Sequence, residues 1–98
     1  ATSKVTEKKV TQIPNDLQEI MEKARKVFQE GMEYYKQIYI HRNPQKRQAY
    51  IHKALEGFRK AYALYDQVAQ KEPDLAGLEE TMNRLSTLIY DCQKMLNF

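Results

Sequence analysis

His41, His52 and Cys92 would matter most chemically if the fold brought them together. A thiol beside an imidazole makes an activated nucleophile. Two imidazoles and a thiolate supply three of the roughly four ligands that a zinc site needs. Their spacing argues against both. The histidines stand eleven residues apart, and Cys92 approaches His52 only in one register of packed helices. No acid is placed to orient an imidazole. Cys92 therefore reads as a small buried hydrophobe, and both histidines as exposed loop or helix positions. Carboxylates occur in pairs, Glu79 with Glu80 and Asp66 near Glu72. Each pair fits a helix surface, where adjacent carboxylates point apart. The glycines are scattered and build no phosphate cradle. The expectation is a chain that is not an enzyme and holds no metal and no cofactor.

A second group is basic. Arg42, Lys46, Arg47 and Lys53 surround Tyr50, and cations interleaved with an aromatic can hold a phosphate backbone and stack a base. Residues 41–60 carry six Lys or Arg against one acid, Glu56, whereas residues 66–98 carry three against six. A net charge of +3 is small for a nucleic-acid binder. Weak nucleic-acid binding through residues 42–53 is thus an alternative, and a dipolar surface that aids solubility is the plainer reading.

Ninety-eight residues make at most one domain, with a thin core and a total stability of about 5–15 kcal/mol. One cysteine allows no internal disulfide and fits a reducing compartment such as the cytoplasm. No run of about 18 apolar residues exists, so no membrane span is expected. The chain does not begin with Met. A processed protein, with a removed secretion signal as one route, or a piece of a longer chain is expected.

The elements follow from the apolar period. Residues 1–13 are polar, rich in Lys and Thr and without a helical period, and read as a flexible tail or linker. The domain is expected over 14–98, with helices at about 15–41, 44–71 and 74–97. Asn15 is expected to cap the first, with Asp16 at its positive end and Gln18 completing a capping box. Leu17, Met21, Ala24, Phe28, Gly31, Tyr35 and Ile38 then mark one face. Asn43 must leave the helical region before Pro44, and it can cap the second helix. That helix has the seam Ile51, Ala54, Phe58, Ala61, Tyr65 and Val68. Apolar flanks lie on both sides, Leu55, Tyr62 and Ala69 on one and Tyr50, Gly57 and Leu64 on the other. So wide a stripe needs two neighbours, which makes this helix central. Leu75, Leu78, Met82, Leu85, Ile89, Cys92 and Leu96 mark the third helix. Short connections make an all-α fold of three antiparallel helices. Folding about residues 42–43 sets Gly31 opposite Ala54 and Phe28 opposite Gly57.

The hairpin resembles a tetratricopeptide repeat. Val27, Gly31 and Tyr34 match the apolar, small and aromatic positions of that family's first helix. Ala54, Phe58 and Ala61, within KALEGFRKA, match its second, and Pro73 stands for the closing proline. Met82, Leu85, Ser86 and Ile89 resemble the opening of a further first helix, acting here as a C-terminal capping helix. The family repeat is 34 residues long, and the gap between triplets here is longer by about three turns. The resemblance is to an elongated helical hairpin over residues 24–92, and no ligand-clamp residues carry over. The Tyr-rich KAYALYDQV also resembles the three-helix microtubule-interacting and transport domains, which implies docking of a partner's short amphipathic helix.

The flanks of the outer helices point to an interface. Ile20, Val27 and Tyr34 form one stripe on the first helix and Met32 and Tyr39 the other. The third helix carries Leu88 and Met95 on one flank and Glu79, Ser86 and Gln93 on the other. Two parallel helices on a common neighbour present opposite flanks to each other. If Ile20, Val27 and Tyr34 turn inward, Leu88 and Met95 are left outward. If Leu88 and Met95 turn inward against Met32 and Tyr39, then Ile20, Val27 and Tyr34 are left outward. Either way an apolar stripe stays partly uncovered, which suits an interface. A protein-interaction or assembly module is the expectation. The partner would be a copy of itself, a neighbouring domain or a partner helix.

Overall fold

The computed structural model describes residues 14–97 of the chain. They form three helices, α1 (Asn15–Ile40), α2 (Pro44–Lys71) and α3 (Leu78–Leu96). The N-terminal segment 1–13, read above as a flexible tail, lies outside the described residues.

Leu17, Ala24, Gly31 and Ile38 form the buried line of α1, seven residues apart, with Met21, Phe28 and Tyr35 half-buried beside it. The start of α1 differs from expectation. Pro14 is the last non-helical residue, and its carbonyl accepts the Gln18 N–H at 3.0 Å. Asn15 is already helical and makes no cap; the proline, locked near φ −53°, takes the position that Asn15 was expected to hold.

The α1–α2 turn forms as expected. Asn43 is extended, and its Oδ1 accepts the N–H groups of Gln45 at 2.9 Å and Lys46 at 3.2 Å. Pro44 takes the first helical position, where its missing N–H costs nothing.

The third helix starts later than expected, at Leu78 rather than near residue 74. Pro73 and Asp74 end α2 but do not start α3. Leu75 N–H donates to the Glu72 carbonyl and Leu78 N–H to the Leu75 carbonyl, each at 3.2 Å, so the chain makes successive turns. Gly77 then adopts φ +81°, a left-handed conformation natural to glycine. Its carbonyl accepts both the Thr81 N–H at 3.1 Å and the Thr81 hydroxyl at 2.9 Å.

α2 is the central helix. It buries Ile51, Ala54, Leu55, Phe58, Ala61, Tyr65 and Val68. α1 and α3 each pack on it, and their backbones nowhere approach one another within 8 Å between Cα atoms. Leu78, Leu85 and Cys92 bring α3 into the same core. Lys46, Lys53 and Lys60 face solvent, as their spacing predicts.

Two glycines set the α1–α2 approach. A Cβ on Gly57 would lie 3.1 Å from the Gly31 Cα and 3.4 Å from the Val27 carbonyl oxygen. A Cβ on Gly31 would lie 2.9 Å from the Phe58 ring and 3.4 Å from the Ala54 carbonyl oxygen. Gly31 does sit at Ala54, as folding about the turn suggests. Gly57 faces Gly31 and the Val27 carbonyl rather than Phe28. Phe28 instead meets Phe58 edge-on, with ring centroids 5.9 Å apart. Gly57 therefore lies against the backbone of α1, while Gly31 makes room for both that approach and the Phe58 ring.

Candidate interaction surface

The α1 flank that faces α3 holds Phe28, Met32, Tyr35 and Tyr39. The Arg84 guanidinium of α3 sits over the Phe28 ring, 5.9 Å from its centroid. Tyr35 packs edge-on against Phe58 of α2 and against Tyr39, and the Tyr35 and Tyr39 hydroxyl oxygens are 3.1 Å apart. The hydrogen bond with Tyr39 holds the Tyr35 phenol well above its ordinary pKa, and burial and the nearby Asp91 and Cys92 push the same way. Arg84, Leu88, Asp91 and Met95 follow in steps of four and three, so Leu88 and Met95 share this flank of α3. Leu88 therefore lies on the same side of α3 as Arg84, which meets Met32 across the gap, while Met95 at the end of α3 lies beside Pro44, Arg47, Gln48 and Ile51 of α2.

Because the two backbones stay apart, this side remains an open groove. Lys26, Gln29, Glu30, Glu33 and Lys36 edge it on α1, and Arg84 reaches in from α3. Lys36 pairs with Glu33 at 3.5 Å along the rim. Met32, Leu88 and Met95 are half-buried, and Tyr39 is 67% exposed.

The opposite flank of α1 is better covered than its sequence suggests. Val27 and Ile20 are half-buried, and Tyr34 is 36% exposed. The reason is the width of α2, whose Tyr50, Gly57 and Leu64 flank lies under this stripe. Tyr34 and Tyr50 stand 6.3 Å apart between centroids, and His41 stacks on the other side of that cluster, 5.1 Å from Tyr50. The Lys53 ammonium lies over Tyr34 at 5.4 Å. Val27, half-buried, thus packs in the α1–α2 interface, whereas Tyr34 stays exposed at its edge against Tyr50 and Lys53.

The basic residues occupy one end of the bundle. Arg42, Lys46, Arg47 and Lys53 are exposed. The Arg47 Nε donates to the Ile38 carbonyl at 3.1 Å, satisfying a carbonyl left free where α1 ends. A notch opens beside it between the start of α2 and the end of α3, lined by Pro44, Arg47, Gln48, Ile51, Met95 and Leu96. By their period Ile51 and Leu96 belong to the core seams, and no motif in the sequence marks the notch. Only the antiparallel register of α2 and α3 brings residues 44–51 and 95–96 together.

His41, His52 and Cys92 have separate settings. His41 Nε2 is 3.1 Å from Gln37 Oε1 and its ring stacks on Tyr50, so it is more enclosed than expected. His52 is exposed and Cys92 is fully buried. Among the described residues, no three His, Cys, Asp or Glu side chains gather as a metal site would require. Asp66 accepts from Gln70 Nε2 at 3.1 Å, and Glu79 and Glu80 are exposed on the first turn of α3. Tyr90, Asp91 and Cys92 are surface, edge and core in turn, as their positions on the helix predict.

Burial, aided by the charge of Asp91, raises the Cys92 thiol pKa to about 11. In the open chain the thiol titrates near 8.5. Between those values the folded chain holds the proton and the unfolded chain has lost it. This contribution to stability is therefore complete below about pH 8.5 and disappears as the pH rises through about 11. The raised Tyr35 and Tyr65 phenols act in the same direction at higher pH. We expect the melting temperature to hold near neutrality and fall from about pH 9 upward. Cys92→Ala should shrink that fall even if it lowers stability at pH 7, which thermal melts across pH 7–11 would show.

No protein-family model, no curated protein and no solved structure matches the chain. Among the described residues, no helix is long and apolar enough to cross a membrane.

Proposed function

We propose that the chain is a non-catalytic protein-interaction or assembly module whose partner surface is the open side between α1 and α3. The observation that carries this reading is the separation of two parallel helices on one central helix. It leaves a groove lined by Met32 and Arg84, with Tyr39 exposed further along α1 and Leu88 half-buried on the Arg84 flank of α3, that no fourth element of the described residues closes. Methionine and tyrosine suit such a surface, since one adapts its shape and the other combines an apolar ring with a polar tip. An amphipathic helix laid between α1 and α3 would complete a four-helix arrangement and cover the strip. The tetratricopeptide-like small and aromatic positions, and the likeness to microtubule-interacting and transport domains, favour the same kind of partner.

The test is the paired substitution Met32→Glu and Leu88→Glu. Neither residue belongs to the fully buried core. Helical content should be retained, and capture of the partner or self-association should fall by about tenfold or more. Full retention of association by a folded double variant would refute the placement.

A further inference from the structure

The end of the bundle around the α1–α2 turn carries no carboxylate over long stretches. Residues 34–55 and 92–97 contain no Asp or Glu, while Arg42, Lys46, Arg47 and Lys94 lie within a turn or two of the notch. Lys46 and Lys94 are exposed, and no acid lies within ion-pair distance of either among the described residues. The nearest acid along α3 is Asp91, half-buried one turn before Met95. Of these cations Arg47 lines the notch itself, whose apolar walls are Pro44, Ile51, Met95 and Leu96.

The geometry points to a docking site for an acidic peptide segment of a protein partner, with one bulky apolar side chain seated in the notch and a carboxylate placed against Arg47 in its wall, within the positive field that Arg42, Lys46 and Lys94 add around it. Charge complementarity selects the acidic partner, and the concave apolar wall selects a side chain as its anchor. A nucleic-acid strand would satisfy the cations, but the notch walls of Pro44, Ile51, Met95 and Leu96 offer no aromatic ring on which a base would stack. A flat lipid surface would leave the notch empty. This site rests on the interaction-module reading and adds a second contact to it, at the end of the bundle rather than along the open side.

A random peptide library displayed on phage and selected on the full chain tests it. Selected sequences should combine Asp or Glu with Leu, Ile or Phe. A synthetic copy of the best one should bind about tenfold more weakly to Gln48→Glu, which sets a carboxylate in the notch wall, lose less affinity for Lys46→Glu/Lys94→Glu, and weaken as salt is raised. All three substituted residues are exposed, so the fold is kept. Its binding to Met32→Glu should be unchanged. The inference is overturned if no sequence is enriched or if enriched sequences lack acids. Equal binding to the charge-reversed variant would overturn it too. So would tighter capture of a single-stranded oligonucleotide or of phosphatidylserine vesicles than of any selected peptide. Peptides that lose binding only to Met32→Glu would sink this site while leaving the open-side reading intact.

Discussion

Phe58→Ala is expected to unfold much of the population at moderate temperature, costing about 3–5 kcal/mol. The ring is fully buried at the middle of the central helix. It meets Phe28 and Tyr35 edge-on at 5.9 Å each, and a Cβ on Gly31 would lie 2.9 Å from it. Its removal leaves a hole beneath α1 that no neighbour can fill, because Gly31 has no side chain to move into it. For a domain this size each kcal/mol lowers the melting temperature by roughly 4–8 °C. A loss of tens of degrees in a thermal melt is therefore the expected result. A Phe58→Leu variant should recover part of it, since volume rather than aromaticity carries most of the loss.

Gly57→Leu acts in the opposite sense, by overfilling. The added side chain would begin 3.1 Å from the Gly31 Cα and 3.4 Å from the Gly31 nitrogen and the Val27 carbonyl oxygen. These are backbone atoms, so relief requires α1 to move away from α2 as a body. We expect a loss of about 1–3 kcal/mol or more, with the near-UV signal of the packed tyrosines disturbed. Gly31→Ala strikes a fully buried ring and should be costly for the same reason. Undiminished stability of Gly57→Leu in chemical denaturation would show that the helices do not cross where described.

Much of this architecture could be read from single residues. Asn43 before Pro44 places the first turn to the residue, because proline restricts its predecessor and removes a donor. The double-flanked stripe of α2 names it as the central helix, since only a helix with two neighbours needs one so wide. The start of α3 was not legible, because Pro73 is a strong break whereas the left-handed Gly77 looks like any glycine until the turns before it are known. Nor was the partner of Gly57, which depends on how the helices tilt as well as on the register of the turn. The partial covering of Ile20 and Val27 follows from α2 serving two faces at once, which a pairwise comparison of α1 and α3 flanks does not include. The notch joins residues more than forty apart in the chain, and no periodicity connects them.

The most direct test of the open side as the partner surface is site-specific photo-crosslinking in the native host. A photoreactive residue at Lys36, on the rim of the α1–α3 groove, is compared with the same residue at Lys60, on the solvent face of α2. Both positions are exposed, so both variants should fold alike. A discrete crosslinked species is expected from Lys36 that is absent from Lys60 and is lost when Met32→Glu and Leu88→Glu are added. A species formed equally from both positions, or only from Lys60, would contradict it.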